Sequence, residues 1–310
     1  MTRNTLMFAL KLVVSITIFA ALFVMFDLAE VWSRLKIHSF SYLGLALCGF
    51  LALLVSNAFR WWVILCAIRI DLPFAFTLKL QYIAAFFNQA LPSVIGGDAI
   101  RMYLLQATGT PLQKSVNSVV IERMVALAGL IFLVTGLQPF VLAHVDLGPA
   151  QYVFPALSAI AISGIVTVML LDKLPVRIRH WRAVTFFSVM ATDAKSVFLS
   201  LKYGVFTMAL SLFSSTLMAV IALFGARALG IELATMDALV LIPPAILAST
   251  LPISIAGWGV REGAMVATLT YAGVSEVDAL VVSIMFGFTM VVSSMPGGLL
   301  WLASKSRRPS

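Results

Sequence analysis

The sequence predicts an all-α, polytopic membrane protein, and three observations carry that prediction. Of its 310 residues, 61% are hydrophobic and only 11% charged, with a mean hydropathy of +1.04, whereas an ordinary soluble domain is about 45–50% apolar. Apolar windows of about twenty residues recur along the chain, each long enough to cross roughly 30 Å of hydrocarbon as a helix. Helices that are apolar on every side need a far larger core than this chain can build, so lipid is the solvent that suits them.

Six full spans follow from those windows, at 7–26, 40–66, 118–142, 152–171, 203–227 and 279–303. The first is flanked by Arg3 and Lys11, outruns a signal-peptide core and lacks a small-x-small cleavage pattern, so it reads as a retained signal anchor. Two further apolar stretches, 78–107 and 237–272, are interrupted near the middle by Leu-Pro and glycines. They read as re-entrant or broken helical hairpins. Residues 183–201 set Asp193 and Lys195 among apolar neighbours, the pattern of a helix lying along the inner interface. The whole of 1–310 is then a single integral membrane domain, with one repeat over 40–142, an inner linker and interfacial helix over 173–201, and a second repeat over 203–303.

Charge placement orients the chain. The net charge is +8, and the linker KLPVRIRHWR at 173–182 holds four basic residues and no acid. Together with Arg69, Lys79, Lys114 and the tail's Lys305, Arg307 and Arg308, it marks the cytoplasmic side and puts both termini there. Positive-inside bias accounts for the basic excess, so no nucleic-acid partner is expected. Arg60-Trp61-Trp62 falls near the inner end of the second span, where snorkelling and an aromatic belt explain it. Cys48 and Cys66, the only cysteines, stand about 27 Å apart on one helix and cannot bridge each other. No metal-ligand spacing, P-loop, G-x-S-x-G or H-E-x-x-H occurs. No cofactor, metal or enzyme activity is expected on those grounds.

The interruption in the first broken stretch returns in the second. LPSVIGGDAIR at 91–101 aligns without a gap to LPISIAGWGVR at 251–261. Leu-Pro, an Ile, a small residue followed by Gly, and the final Arg coincide. Each copy continues as a short apolar segment ending in glycine. Under the span count the copies enter from opposite faces, which makes them inverted repeats with discontinuous helices, the architecture of secondary transporters.

The chemistry these breaks offer is anion binding. Pro92 and the pair Gly96 and Gly97 permit a turn, Asp98 stands where it would cap the next helix, and Arg101 follows one turn later. In the second copy Pro252 marks the break, Gly257 and Gly259 flank Trp258, and Arg261 is followed by Glu262. A purely structural alternative pairs Arg101 with Asp98 and Arg261 with Glu262 to hold each turn. Glu122 and Arg123, at the inner start of the third span, are either a further part of the site or snorkelling charges. Asn88 and Gln89 either bond carbonyls freed at the break, the structural role favoured here, or contact a head group. Because a charge at the bilayer centre costs roughly 2.5–3.5 kcal/mol, the matched arginines are functional candidates.

These residues resemble a known family. LPSVIGGDAIRMYLL with IERMVAL, and LPISIAGWGVREGAM with YAGVS, are similar to the lysylphosphatidylglycerol synthase transmembrane region, also called the flippase-like or UPF0104 membrane family, over nearly the whole chain. The resemblance implies a lipid-flipping module in a prokaryotic inner membrane. It implies no aminoacyl transfer, which in the two-part enzymes belongs to a soluble domain that is not expected after Ser310. Gly97, Asp98, Arg101, Glu122, Arg123, Gly257, Gly259, Arg261 and Glu262 are the implied functional set. The family often has Glu where Asp98 stands, and an acid near Val125 and Ala126. The expected function is movement of an anionic phospholipid or polyprenyl-phosphate-linked glycolipid between leaflets by alternating access. Its rival is a non-transporting subunit that holds lipid for a partner enzyme of lipid or glycan assembly.

Overall fold

The computed structural model describes residues 28–91, 96–142, 151–171, 182–250 and 259–305. Among them are eleven α-helices and no strand. They are α1 (Leu28–Arg34), α2 (Phe40–Ala67), α3 (Phe74–Ala90), α4 (Gly96–Gln106), α5 (Leu112–Leu142), α6 (Val153–Leu170), α7 (Arg182–Phe198), α8 (Leu201–Ala228), α9 (Thr235–Ser249), α10 (Val260–Leu269) and α11 (Glu276–Lys305). Five of these, α2, α5, α6, α8 and α11, are long and apolar enough to cross a membrane. Each overlays a span read from the sequence, while the proposed first span at 7–26 lies outside the described residues. All-α polytopic is therefore the fold class.

The ends of the helices follow local chemistry. α2 stops where Arg69 adopts a left-handed conformation with φ 62° and the Ile70 N–H returns to the Leu65 carbonyl at 2.9 Å, a Schellman-like closure on a non-glycine residue. Before α11, the Ser275 hydroxyl accepts the Asp278 N–H at 3.1 Å and donates to its carboxylate at 2.8 Å, so the first turn's orphan donor is satisfied by a side chain. Each interrupted stretch holds two of the described helices. α3 gives way to α4, and α9 to α10, and positive-φ glycines, Gly109 and Gly273, follow the two short helices.

The chain divides into two compact units. Among described residues, one comprises 28–53, 82–91, 96–97, 216–250 and 259–305, and the other 54–81, 98–142, 151–171 and 182–215. The cuts fall within α2, α3, α4 and α8, each of which contributes residues to both.

In the first unit, small residues let helices meet closely. A Cβ on Gly297 of α11 would lie 1.9 Å from the Tyr82 carbonyl oxygen of α3, and one on Gly49 of α2 would lie 2.8 Å from Ile221 of α8. Phe50 packs on Phe286 at 5.3 Å between ring centroids. Close approach over small residues is how membrane helices gain dispersion contacts without a hydrophobic drive.

The second unit has its core at Trp61, Ile64, Leu65, Leu105, Ile121 and Val125, all wholly buried. Polar bonds tie its long helices: Ser56 to Ser214 at 3.0 Å, and the Ser211 hydroxyl to the Val125 carbonyl at 2.9 Å. α6 buries no residue and meets α5 through the Thr135 and Ser158 hydroxyls at 2.7 Å.

α7 covers most of the stretch read as an interfacial helix, 183–201. Asp193 is buried, taking the Lys114 ammonium at 2.5 Å and the Asn117 amide at 2.8 Å. Its charge is met by α5 and not by an aqueous face, because an unpaired carboxylate inside an apolar contact is costly.

The contact of Gly297 yields a prediction. Gly297→Ala forces α11 off the α3 backbone and lowers stability by about 1–3 kcal/mol, whereas Gly44→Ala, where a Cβ meets nothing within 4 Å, leaves it unchanged or slightly raised. Thermal unfolding of the two purified variants, followed by helical circular dichroism, measures the difference.

Candidate functional site

Asn88, and not Asp98, serves the N-terminus of α4. The Gly97 N–H donates to Asn88 Oδ1 at 2.9 Å, satisfying an orphan donor of the first turn from nine residues earlier, in α3. A Cβ on Gly97 would stand 2.0 Å from the Ala84 carbonyl oxygen, so only glycine lets the turn come this close. Gly96 opens the helix beside Leu91. The structural role expected of Asn88 is the one it has, although it accepts from an N–H where freed carbonyls were expected. Gln89 Oε1 is buried with no hydrogen-bond partner among the described residues.

Asp98 instead faces guanidinium groups. Its Oδ1 accepts from Arg101 Nη2 at 3.1 Å and its Oδ2 from Arg123 Nε at 2.7 Å. Arg101 Nη2 also reaches Glu122 Oε2 at 3.2 Å, while its Nη1 donates to Gln81 Oε1 at 2.7 Å. Glu122 Oε1 in turn accepts from Arg60, at 2.5 Å from Nη2 and 3.2 Å from Nε. The five charges thus form one chain of alternating sign, Arg60, Glu122, Arg101, Asp98, Arg123, all within the second unit.

Burial and depth make this chain consequential. Arg60, Asp98, Arg101 and Glu122 are all buried, whereas the Arg123 side chain is 49% exposed. Glu122 lies about 15 Å along α5 from its first residue, and Arg60 about 10 Å from the end of α2. Both are buried and paired to each other and do not reach outward as snorkelling requires, which corrects the expectation for Arg60 and leaves Glu122 with the other of its two readings. Trp61, expected in an aromatic belt, is wholly buried with its ring centroid 4.4 Å from the Arg101 guanidinium, a cation–π contact. Its indole N–H donates to the Ser118 hydroxyl at 3.3 Å.

The second break carries a smaller site within the first unit. Gly259 sits at φ 84°, a conformation that favours glycine, and its N–H donates to Glu262 Oε2 at 2.5 Å. Glu262 thereby closes the N-terminus of α10 from its third position, half of a capping box. Its other oxygen accepts from Arg261 Nη2 at 2.5 Å and Nε at 3.1 Å, and Ser283 Oγ lies 3.3 Å from both side chains. The Arg261 guanidinium stands 5.7 Å from the Phe286 ring centroid. Both matched arginines are therefore buried and paired to the acids beside them, as the structural alternative required, but Arg101 is also tied into a wider network.

Residues 8–297 match the family described as lysylphosphatidylglycerol synthase TM region. The chain belongs to this family. A search of curated proteins gave no match. Family membership and the five apolar helices together make it a multi-pass membrane protein.

Of the residues singled out in the sequence, Asp98, Arg101, Glu122 and Arg123 come together, as do Gly259, Arg261 and Glu262. Gly96 and Gly97 shape the start of α4. Pro92, Pro252, Gly257 and Trp258 lie outside the described residues. Arg60, Trp61 and Gln81 were missed as site residues. A signal for Arg60 was present: an arginine well inside a 28-residue apolar helix needs an acid from elsewhere, and Glu122 is one of few acids placed inside another span.

A double-mutant cycle tests the network. Glu122→Gln leaves Arg60 and Arg101 without their shared carboxylate and costs about 3–5 kcal/mol. Adding Arg60→Gln relieves one of those charges, so the double variant is less damaged than the sum of the singles. Additive losses in unfolding measurements would show that the pair does not interact.

Proposed function

We propose that the protein moves an anionic lipid, a phospholipid or a polyprenyl-phosphate-linked glycolipid, between the leaflets of its membrane. The head group engages the arginine-bearing sites at the broken helices while the acyl or prenyl tails stay in hydrocarbon. Membership of a lipid-handling membrane family supports this reading. The observation that carries it is the five-charge chain around Arg101.

The physical argument turns on what such a chain contributes. Buried ion pairs are often replaceable by apolar residues of similar volume without loss of stability. In a membrane the charges are dearer still, at roughly 2.5–3.5 kcal/mol each even on the lenient scale. A network of five is therefore weak as a stabilising device and well suited as a polar station for a charged group that has no other partner in hydrocarbon. The second station, at Arg261 and Glu262, offers a guanidinium beside a hydroxyl and a backbone N–H that already serves a carboxylate. An anionic head group presents the same chemistry as that carboxylate. Energy for the movement is not supplied by a nucleotide site of this chain, since the sequence has no P-loop.

Reconstitution into liposomes tests the proposal. Wild-type protein is expected to expose labelled anionic lipid from the inner leaflet to an external quencher, and Arg101→Ala and Arg261→Ala to slow that exposure by about tenfold or more, the loss of one charge-assisted contact. Flux no faster than in empty liposomes would overturn it. Recovery of a stoichiometric enzyme partner with no flux from either preparation would favour the holding-subunit role instead.

A further inference from the structure

We infer that the head group taken by the Arg101 network is a lipid phosphodiester with one negative charge, received first by Arg123. The inference rests on the lipid-transport reading above and gives its ligand a charge, a functional group and an entry point.

The charge follows from counting. Among the described residues, Arg60, Arg101 and Arg123 are ion-paired with Asp98 and Glu122 alone, so three guanidinium groups face two carboxylates and one positive charge is left over. The other four members of the network are buried and Arg123 is its open end, so an anion bound there balances the surplus without stranding a buried charge. One monoanion closes the account.

The entry point follows from where the surplus is presented. The chain ends in Arg60, whose side chain is 5% exposed, and in Arg123, at 49%. Arg123 spends only its Nε on Asp98, and its two terminal nitrogens make no hydrogen bond among the described residues. These are the planar, paired donors that fit two oxygens of a phosphate. Further in, Arg101 Nε is buried with no hydrogen-bond partner among the described residues. That orphan donor lies in the same network and has the same need for an acceptor.

The functional group follows from the alternatives. A phosphodiester has one charge and two non-bridging oxygens. A phosphomonoester carries about −1.5 to −2 near neutral pH, which overfills the site and places like charge beside Asp98. A zwitterionic head brings its own ammonium and leaves the surplus where it was. Phosphatidylglycerol-type lipids and polyprenyl monophosphoryl sugars both meet the requirement. Phosphatidic acid, polyprenyl diphosphates and phosphatidylcholine do not.

The test is a lipid titration of the purified full chain by native mass spectrometry, with phosphatidylglycerol, phosphatidic acid and phosphatidylcholine as probes. Wild type is expected to prefer phosphatidylglycerol to each of the others by roughly tenfold, the equivalent of one charge-assisted contact. Arg123→Gln abolishes that preference, Arg123→Lys keeps part of it, and Lys202→Gln, an exposed cation elsewhere in the unit, leaves it unchanged. Asp98→Asn raises the surplus to two charges and shifts the preference toward phosphatidic acid. That arm decides the question even if Arg123→Gln does not fold. Soluble glycerophosphoglycerol is expected not to displace the lipid, and displacement at equal concentration would make the ligand a free phosphodiester. Equal binding of phosphatidylcholine, tighter binding of phosphatidic acid by wild type, or full selectivity in Arg123→Gln would overturn the assignment. Lipid flux without head-group preference defeats this inference and leaves transport standing. Selective binding without flux does the reverse.

Discussion

Charges inside apolar helices have to be paired, and in this protein the alternation Arg60, Glu122, Arg101, Asp98, Arg123 does so with three helices, α2, α4 and α5. Each carboxylate lies between two guanidinium groups, so losing either acid strands a terminal arginine and leaves Arg101 with one carboxylate. The constraint reaches outward. Trp61 is held against Arg101 and bonded to Ser118, Gln81 is held by Arg101 Nη1, and Ile121 and Val125 are buried on either side of Glu122. Removing hydration from such groups costs several kcal/mol per ion, and their mutual satisfaction is the condition under which the surrounding apolar packing can close.

The two breaks resolve the same problem differently. At Arg261 the solution is local: Glu262 neutralises the neighbouring guanidinium and caps its own helix through Gly259 N–H. At Arg101 it is distributed, because Asp98 is shared with Arg123 and the cap is supplied by Asn88. Among the described residues, the Arg261 arrangement meets its guanidinium with the acid next to it. Distribution leaves the second with a surplus charge and an orphan donor, and it is there that an anion has something to add.

Much of the fold was legible because its cause is local. Apolar windows of spanning length became α2, α5, α6, α8 and α11, and Leu-Pro with glycines marked both interruptions, since hydropathy and backbone freedom are written residue by residue. The site was legible only in part. Arg101 and Arg261 stood out against apolar neighbours, and Glu262 beside Arg261 was visible as a pair. Arg60 was passed over: its place inside an apolar helix implies an acid from elsewhere, but RWWVIL does not say that the acid is Glu122 on a different helix. Asp98 was assigned to the cap by position, yet two guanidinium groups outcompete a backbone N–H for a buried carboxylate. Gly97 looked like turn chemistry, whereas the decisive contact is the Ala84 carbonyl oxygen pressed against it. Contacts between distant segments decided each of these.

The central claim is that this network is an anion site with one charge unmet. It is tested most directly by an electron cryomicroscopy map of the full chain in a nanodisc of phosphatidylglycerol. The account predicts phosphate density within hydrogen-bond reach of the Arg123 terminal nitrogens, with Asp98 and Glu122 still holding Arg101. Lipid density confined to the outer surface of the helices, with Arg123 turned away from it, would contradict the claim.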